Sequence, residues 1–253
     1  MTLSTRKVVA TLLACVALAV GASGCGAVDA VTGGAAPKGV AVYISVDDSG
    51  STAPERGIGG LYEAAVMQAI VGTAREGDGR VYATPIDGNS VADATWIISG
   101  KRFVSQIGGN QQLGAAARAH AAENLRPTVR QLLHAAHRPA TDILGGLQRV
   151  ALSAAGSGRK RLVLITDGGV NIGTFDIYRT PPETARQRKQ VIARLRRAGE
   201  LPDLHNFDVY LVGVGLGYHS RATARAAIAL WHDLIVAAGG RLMSNDVTLH
   251  FPG

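Results

Sequence analysis

Short apolar runs alternate with longer amphipathic segments along most of this chain. The runs are rich in Val, Ile, Leu and Tyr and too short for helices, which predicts strands at residues 40–46, 80–87, 94–98, 161–165 and 207–215. Between them, apolar residues recur at helical spacing, which predicts helices at residues 60–74, 142–155 and 222–238, and another after residue 183. This alternation predicts an α/β fold, with a doubly wound, mostly parallel sheet and helices on both faces.

Weaker patterns complete the predicted sheet. Residues 80–87 and 94–98 are close enough in sequence to be antiparallel neighbours at an edge. A final short strand is expected at residues 240–243 or 247–249. Residues 108–124 are rich in Gln, Ala, Gly and Asn, which predicts a loop that becomes a helix towards residues 129–133. Residues 180–183, Thr-Pro-Pro-Glu, have the form of a capping box, and Trp231 lies at the spacing of a core residue.

Oxygen-bearing side chains follow two of the predicted strands. Asp47, Ser49 and Ser51 come after the first strand, Asp167 follows the run at residues 161–165, and Thr141 precedes a predicted helix. Each residue alone has an ordinary explanation, because Ser and Asp form turns and Thr caps helices. Together they indicate a cation site, because the carboxyl ends of parallel strands meet at the edge where ligands bind. Oxygen donors without nearby Cys or His suit Mg²⁺, Mn²⁺ or Ca²⁺ rather than Zn²⁺.

This set of residues resembles the metal-ion-dependent adhesion site of the von Willebrand factor A domain. The family motif is Asp-x-Ser-x-Ser followed by a separate Thr and a separate Asp, and Asp47, Ser49, Ser51, Thr141 and Asp167 fill its positions in order. The resemblance extends over residues 40–242. It implies that the hydroxyl groups of the two Ser residues and Thr141 coordinate a divalent cation, with Mg²⁺ first among the candidates. The two Asp residues would bind it directly or through water.

The same resemblance implies a function in binding rather than catalysis. One coordination position would remain for an Asp or Glu side chain of a partner protein, and no catalytic residue is expected. Asp48, where the family often has an apolar residue, adds negative charge near the site. Two other classes stay open: a structural lipoprotein with a permanently bound ion, and a Mg²⁺-dependent phosphotransferase similar to haloacid dehalogenases. The latter requires an Asp two positions after Asp47, where this chain has Ser49.

Motifs of other enzyme classes do not occur. The sequence contains neither the Gly-x-Ser-x-Gly motif of hydrolases nor the Gly-x-x-x-x-Gly-Lys-Ser/Thr loop of nucleotide-binding proteins. Its seven His residues show no His-Glu-x-x-His spacing. The phosphotransferase is therefore the enzymatic interpretation that stays open.

The first residues have the three-part pattern of a secretory signal peptide. Arg6 and Lys7 precede an apolar run at residues 8–20, and small residues follow up to Cys25. The run is shorter than a transmembrane helix requires. The sequence Ala-Ser-Gly-Cys resembles a bacterial lipobox, in which the Cys is lipidated and becomes the first residue of the mature chain. The alternative is an ordinary signal peptide with a small-residue cleavage site.

Cysteine content favours the lipid anchor. The chain has two Cys, Cys15 inside the apolar run and Cys25, so an exported domain would retain no pair for a disulfide. We expect residues 1–24 to be a lipoprotein signal peptide, residues 25–38 a lipidated Cys and flexible tether, and residues 39–253 one von Willebrand factor A-like domain. The expected location is the extracytoplasmic face of a bacterial cell membrane.

Charge restricts the partners less than the motifs do. The net charge is +7 and falls to +5 without residues 1–24, which contain two basic residues and no acidic ones. This excess of positive charge is compatible with an anionic membrane surface or an acidic partner, and charge alone does not distinguish between the two. The helix after residue 183 has an outward basic face, formed by Arg186, Arg188, Lys189, Arg194, Arg196 and Arg197. Such a face is usually solvated, and no nucleic-acid partner is expected for an exported protein.

Overall fold

Six strands pair into one sheet. A computed structural model of the chain describes residues 39–47, 59–77, 79–86, 88, 95–104, 110–134, 141–154, 158–170 and 175–246. The strands in this part of the chain are β1 (Ala41–Asp47), β2 (Arg80–Ile86), β3 (Ile98–Arg102), β4 (Lys160–Ile165), β5 (Phe207–Val212) and β6 (Arg241–Asp246). Their spatial order is β3-β2-β1-β4-β5-β6.

The pairing confirms the predicted fold class. β1 is parallel to β2 and β4, β5 is parallel to β4 and β6, and only β3, at one edge, is antiparallel to its neighbour β2. The connections from β1 run towards one edge of the sheet, and those from β4 run towards the other. Strand order therefore reverses between β1 and β4, which in open α/β sheets creates a crevice at the carboxyl ends of the strands.

Helices cover both faces of the sheet. They are α1 (Gly59–Glu76), α2 (Gln111–Glu123), α3 (Arg126–His134), α4 (Ile143–Ser153), α5 (Ala185–Ala198) and α6 (Arg221–Ala237). Side chains alternate between faces along each strand. Ile44 of β1 and Val163 of β4 accordingly pack with α1, α2 and α3, whereas Tyr43 and Leu162 pack with α4, α5 and α6.

Both hydrophobic cores are built within residues 40–246. Trp231 of α6, predicted to be a core residue, is fully buried on the α4, α5 and α6 face, and Tyr62 of α1 is buried on the other. All described residues belong to one compact unit. Because the described part of the unit contains a six-stranded sheet with a core on each face, we expect it to fold independently.

Three elements differ from their predicted positions. β3 begins at Ile98, where the predicted strand ended, and residues 111–123 form α2 rather than a loop. α5 begins after Thr184, and the capping box is formed by Thr184 and Gln187 rather than by residues 180–183. Pro182 explains the last difference, since a residue that precedes proline is disfavoured in helical conformation and Pro181 stands in that position.

Several predictions concern residues that the structure does not describe. The signal peptide, Cys25, the tether, Ser49 and Ser51 all lie outside the described residues. Within the described ranges, no helix has the length and apolar character needed to cross a membrane.

Candidate functional site

Two buried carboxylates lie at the carboxyl edge of the sheet where strand order reverses. Asp47 is the last residue of β1, and Asp167 follows β4 by two residues. The strands are parallel neighbours, with Val46 opposite Ile165, so both Asp residues are at the same edge. Asp47 is 1% exposed and Asp167 2%. Buried carboxylates require hydrogen bonds or a compensating positive charge, because desolvation is costly.

The hydroxyl group of Thr166 connects the two strands. Its Oγ1 atom donates a hydrogen bond of 2.7 Å to Oδ2 of Asp47. The same oxygen accepts a 2.9 Å hydrogen bond from the backbone amide of Gly168. Because Thr166 is fully buried, this bond is shielded from water and holds the Asp47 carboxylate against the loop that contains Asp167.

Local hydrogen bonds also hold the loop after β4. Oδ1 of Asp167 accepts from the amide of Gly169 at 2.8 Å, and its backbone carbonyl accepts from the amide of Gly215 at 2.9 Å. The Tyr178 hydroxyl lies 3.4 Å from the other carboxylate oxygen, Oδ2. A Cβ atom at Gly169 would lie 1.8 Å from that hydroxyl. Glycine at this position therefore allows Tyr178 to approach the carboxylate.

Helix α6 packs against the same loop. The indole Nε1 of Trp231 donates to the carbonyl oxygen of Gly168 at 3.0 Å. Gly168 has φ +84, and a Cβ atom there would lie 2.9 Å from both Nε1 of Trp231 and Cγ1 of Val214. Only glycine satisfies both the backbone conformation and the space. Trp231 and Gly168 thus set the position of the neighbouring residue Asp167.

Thr141 is buried at the amino end of α4, with 4% exposure. Asp142 is the N-cap, and its Oδ1 accepts from the amide of Gly145 at 2.8 Å. Farther along the helix, Nη2 of Arg149 donates to Thr84 Oγ1 at 2.6 Å and to the carbonyl of Pro85 at 2.7 Å.

The contacts of α4 with β2 give the direction of the helix. Gly146 packs on Ile86, the last residue of β2, whereas Arg149 reaches the earlier residues Thr84 and Pro85. α4 therefore runs antiparallel to β2, and its amino end points to the carboxyl edge of the sheet. Because Ile86 is paired with Asp47, this arrangement brings Thr141 to the edge that carries the two carboxylates.

Three tyrosines that were not predicted from the sequence lie near the carboxylates. The Tyr62 hydroxyl is buried and has no hydrogen-bond partner among the described residues, and the same holds for Tyr218. Burial, and then the negative charges of Asp47 and Asp167, raise the pKa of Tyr62 well above its ordinary value. Burial, followed by the charge of Asp167, also raises the pKa of Tyr218. The rings of Tyr178 and Tyr218 stack with centroids 5.5 Å apart.

The raised pKa values keep the phenols of Tyr62 and Tyr218 neutral, so their hydroxyls can donate hydrogen bonds to an anionic oxygen. Tyr62 lies in the first turn of α1, the helix that follows β1, which is a sequence signal of its place near the edge. Tyr178 and Tyr218 lie in connections without regular periodicity, where no such signal exists.

The described residues fit a hard divalent cation. Among the described parts of the chain, no group of three or more His, Cys, Asp or Glu side chains is arranged to hold a metal. The predicted site instead depends on hydroxyl oxygens, and its described members are Asp47, Thr141 and Asp167. Together with the buried hydroxyls of Tyr62 and Tyr218, which have no hydrogen-bond partner among the described residues, these three residues offer only oxygen atoms, which hard cations prefer.

Comparisons with known proteins show similarity in fold only. No protein-family profile and no curated protein match this sequence. Solved structures with a similar fold include the PilB minor pilin from Streptococcus sanguinis, which is 14% identical with a TM-score of 0.48 over 82% of this chain and 57% of that chain. An aerotolerance-related membrane protein from Bacteroides fragilis is 15% identical with a TM-score of 0.40, over 84% of this chain and 92% of that chain.

A third similar structure is the pilus adhesin SpaC from Lactobacillus rhamnosus GG in its open conformation. It is 13% identical with a TM-score of 0.39, over 79% of this chain and 30% of that chain. This chain thus spans little more than half of the pilin and under a third of the adhesin. Similarities this distant do not identify a family, so the von Willebrand factor A resemblance stays a prediction from the sequence motif.

Proposed function

We propose that this protein is an exported, membrane-anchored binding protein that captures a protein partner through a divalent cation. The cation would be held by Asp47, Ser49, Ser51, Thr141 and Asp167, and the partner would supply an Asp or Glu carboxylate. The observation that carries the proposal is the placement of two buried carboxylates at the edge where strand order reverses. Ligand sites of open α/β sheets lie at this position.

The residues near the two carboxylates would have different roles in such a site. A bound cation supplies an electron-poor centre that attracts an anionic oxygen, and neutral hydroxyl ligands preserve more of that attraction than carboxylates would. Thr166 holds the Asp47 carboxylate in place, and the amide of Gly169 holds that of Asp167. Tyr178, 47% exposed and next to Asp167, is accessible to the partner. Tyrosine is frequent at the centres of protein interfaces.

The test of the cation site is a melting experiment on residues 39–253 with Mg²⁺, Mn²⁺, Ca²⁺ or chelator. A cation at a hundred times its dissociation constant adds about 2.7 kcal/mol, which raises the melting temperature by roughly 5–10 °C in a domain of this size. Asp47→Asn keeps an oxygen that accepts from Thr166 but removes the charge, so the rise should disappear. Without cation, this variant should be at least as stable as wild type, because two buried like charges no longer repel.

The matched control is Asp203→Asn, which removes an exposed carboxylate from the α5–β5 connection. It should keep the full cation response. A response that survives in Asp47→Asn would show that the ion binds elsewhere and would contradict the site.

Partner capture separates a binding protein from one that only holds a permanent ion. The full chain in membranes should retain its partner with Mg²⁺ and release it with chelator. Thr141→Ala should weaken capture while leaving the fold intact. Capture that is unaffected by chelator and by Thr141→Ala would overturn the proposal even if the cation stabilises the domain.

A further inference from the structure

Basic side chains gather at the edge of the sheet opposite the candidate site. This amino edge is formed by the first residues of β1, β2, β4, β5 and β6, and by the last residues of the antiparallel β3. The carboxyl ends of α1 and α5 also contribute. The basic residues at this edge are Arg75, Arg80, Lys101, Arg102, Arg159, Arg161, Arg197 and Arg241.

Several of these charges face solvent. Lys101 and Arg102 at the end of β3 are exposed and make no ion pair within the described part of the chain. Arg159 and Arg241 both contact Asp208, yet their side chains remain 60% and 57% exposed. Arg102 lies opposite Arg80 in the sheet, so like charges are adjacent there. Lys101 and Arg102 place two exposed like charges side by side at the end of β3, which favours an anionic partner.

Acidic residues do not cancel this charge. Glu76 is engaged by Arg161 at 2.6 Å, and the buried Asp208 is shared between Arg159 and Arg241. Asp203 and Glu200 lie in the α5–β5 connection. Among the described residues at this edge, the basic residues named above outnumber these acids, so this part of the amino edge has an excess of positive charge.

Exposed apolar side chains lie among the basic ones. Val104, two residues after β3, is 80% exposed, and Val236 in the last turn of α6 is 56% exposed. Met243 on β6 is 40% exposed. Apolar side chains beside Lys and Arg are the composition of surfaces that bind at the interface of anionic membranes. Non-specific nucleic-acid binding depends mainly on charge, so the exposed aliphatic groups favour a membrane as the partner.

The chain enters the fold at this same edge. β1 begins at Ala41, so the segment before residue 39 joins the domain beside the basic residues. If Cys25 is lipidated as the sequence predicts, a tether of residues 25–38 reaches roughly 20 Å. The bilayer would then be within reach of the amino edge and on the far side of the domain from Asp47 and Asp167.

We infer that the amino edge docks on the anionic phospholipid headgroups of a bilayer and holds the candidate site away from the membrane. The contact is electrostatic, with the exposed valines and Met243 entering the headgroup region. It does not depend on the cation site, because none of its residues is at the carboxyl edge.

Vesicle flotation with residues 39–253, which contain the complete sheet and both cores, tests the inference. The domain should bind vesicles of phosphatidylcholine and phosphatidylglycerol in equal parts and release them at high salt. It should not bind vesicles of phosphatidylcholine alone. Lys101→Glu with Arg102→Glu should weaken binding by at least about tenfold, since each basic residue near the surface contributes about 1 kcal/mol. Val104→Asp, which places a negative charge at a position that is 80% exposed, should weaken it as well.

The control is Arg221→Glu with Arg225→Glu, which changes net charge equally at exposed positions by the carboxyl edge. It should retain binding within about twofold, because the screening length of salt is about 10 Å. Equal loss in both double variants would show that only net charge matters and would overturn the inference. Binding to a DNA duplex as tight as to vesicles at the same salt would overturn it too. Asp47→Asn should bind vesicles like wild type, so failure of the cation site leaves this test readable.

Discussion

A single hydroxyl group joins the two strands of the candidate site. Thr166 donates to Asp47 on the neighbouring strand and accepts from Gly168 in its own loop. Hydrogen bonds to a charged group are stronger than neutral ones, and burial strengthens them further. The position of one predicted cation ligand therefore depends on a residue that is not itself predicted to be a ligand.

Replacing Thr166 by Val tests this dependence. The side chain keeps its shape but loses the hydroxyl, so the buried Asp47 carboxylate and the Gly168 amide each lose a partner. We expect the free energy of unfolding to fall by about 1.5–3 kcal/mol, measured by urea denaturation without cation. Thr166→Ser keeps the hydroxyl and should lose less stability. A loss in Thr166→Val that does not exceed the loss in Thr166→Ser would contradict a dominant contribution of the hydrogen bond.

The sequence allowed the carboxylates to be predicted, but not their neighbours. Asp47 ends one buried strand and Asp167 follows another by two residues, and the parallel pairing that brings strand ends together is a consequence of the α/β pattern. Tyr178 and Tyr218 reach the site from connections whose paths depend on contacts distant in sequence. Thr166 is next to Asp167 in the chain, yet its bond to Asp47 becomes evident only once β1 and β4 are known to be neighbours.

At the scale of elements, an ion-pair cluster connects α1 with α3. Glu63 of α1 accepts from Arg126 at 2.9 Å and from Arg130 at 3.1 Å. The hydrogen bond from Arg130, followed by that from Arg126, holds the pKa of the Glu63 carboxyl below its ordinary value of 4.5. A carboxyl group whose pKa is lowered on folding stabilises the protein above its unfolded pKa.

Glu63 should therefore contribute stability at neutral pH that disappears in acid. The contribution is fully present above the unfolded pKa of 4.5 and is lost as the pH falls through the lower folded value. Because the pair is partly exposed, we expect Glu63→Gln to cost about 1 kcal/mol or less at pH 7. The difference from wild type, measured by urea unfolding across pH, should vanish in acid.

Glu183→Gln is the control for Glu63→Gln. It removes an exposed carboxylate that makes no ion pair with the described residues. Its stability should follow that of wild type at each pH. A Glu63 effect that persists unchanged below the folded pKa would contradict an electrostatic origin.

Elements buried on both faces were predicted closely, and elements at the periphery were not. β1, β4 and β5 are buried on both sides, so their short apolar runs clearly predict strands. β3 contains Gly100, Lys101 and Arg102 and carries its polar residues on an exposed edge, where periodicity gives no signal. α2 packs on α1 with the small residues Gly114 and Ala122 buried. Its Gln and Ala residues favour a helix, and the predicted loop gave too much weight to the Gly and Asn residues before it.

At the scale of the molecule, one sheet supplies both cores. Every interior strand sends alternate side chains to opposite faces, so neither core can be lost while the other keeps its support. The two helical layers have no separate sheet of their own. We therefore expect the domain to unfold as a single cooperative unit.

Leu147 and Leu152 provide a matched pair to test this. Both lie on α4, but Leu147 is fully buried in the core shared with α5 and α6, whereas Leu152 is 82% exposed. Leu147→Ala should lower the free energy of unfolding by about 2–5 kcal/mol. Leu152→Ala should change it by about 0.5 kcal/mol or less. Circular dichroism and tryptophan fluorescence should give coincident urea transitions in both variants, and separated transitions would contradict a single unit.

The two edge strands also affect how copies of the protein behave near one another. An open sheet presents unpaired backbone groups at each edge, which can recruit a strand from a neighbouring molecule. Here β3 is short, ends in Lys101 and Arg102, and has a register shift against β2. β6 has a register shift against β5 and carries Arg241 and Asp246. If the protein is anchored to a membrane as proposed, crowding there raises the local concentration of such edges. These charges and irregularities would then favour a dispersed population over polymers joined sheet to sheet.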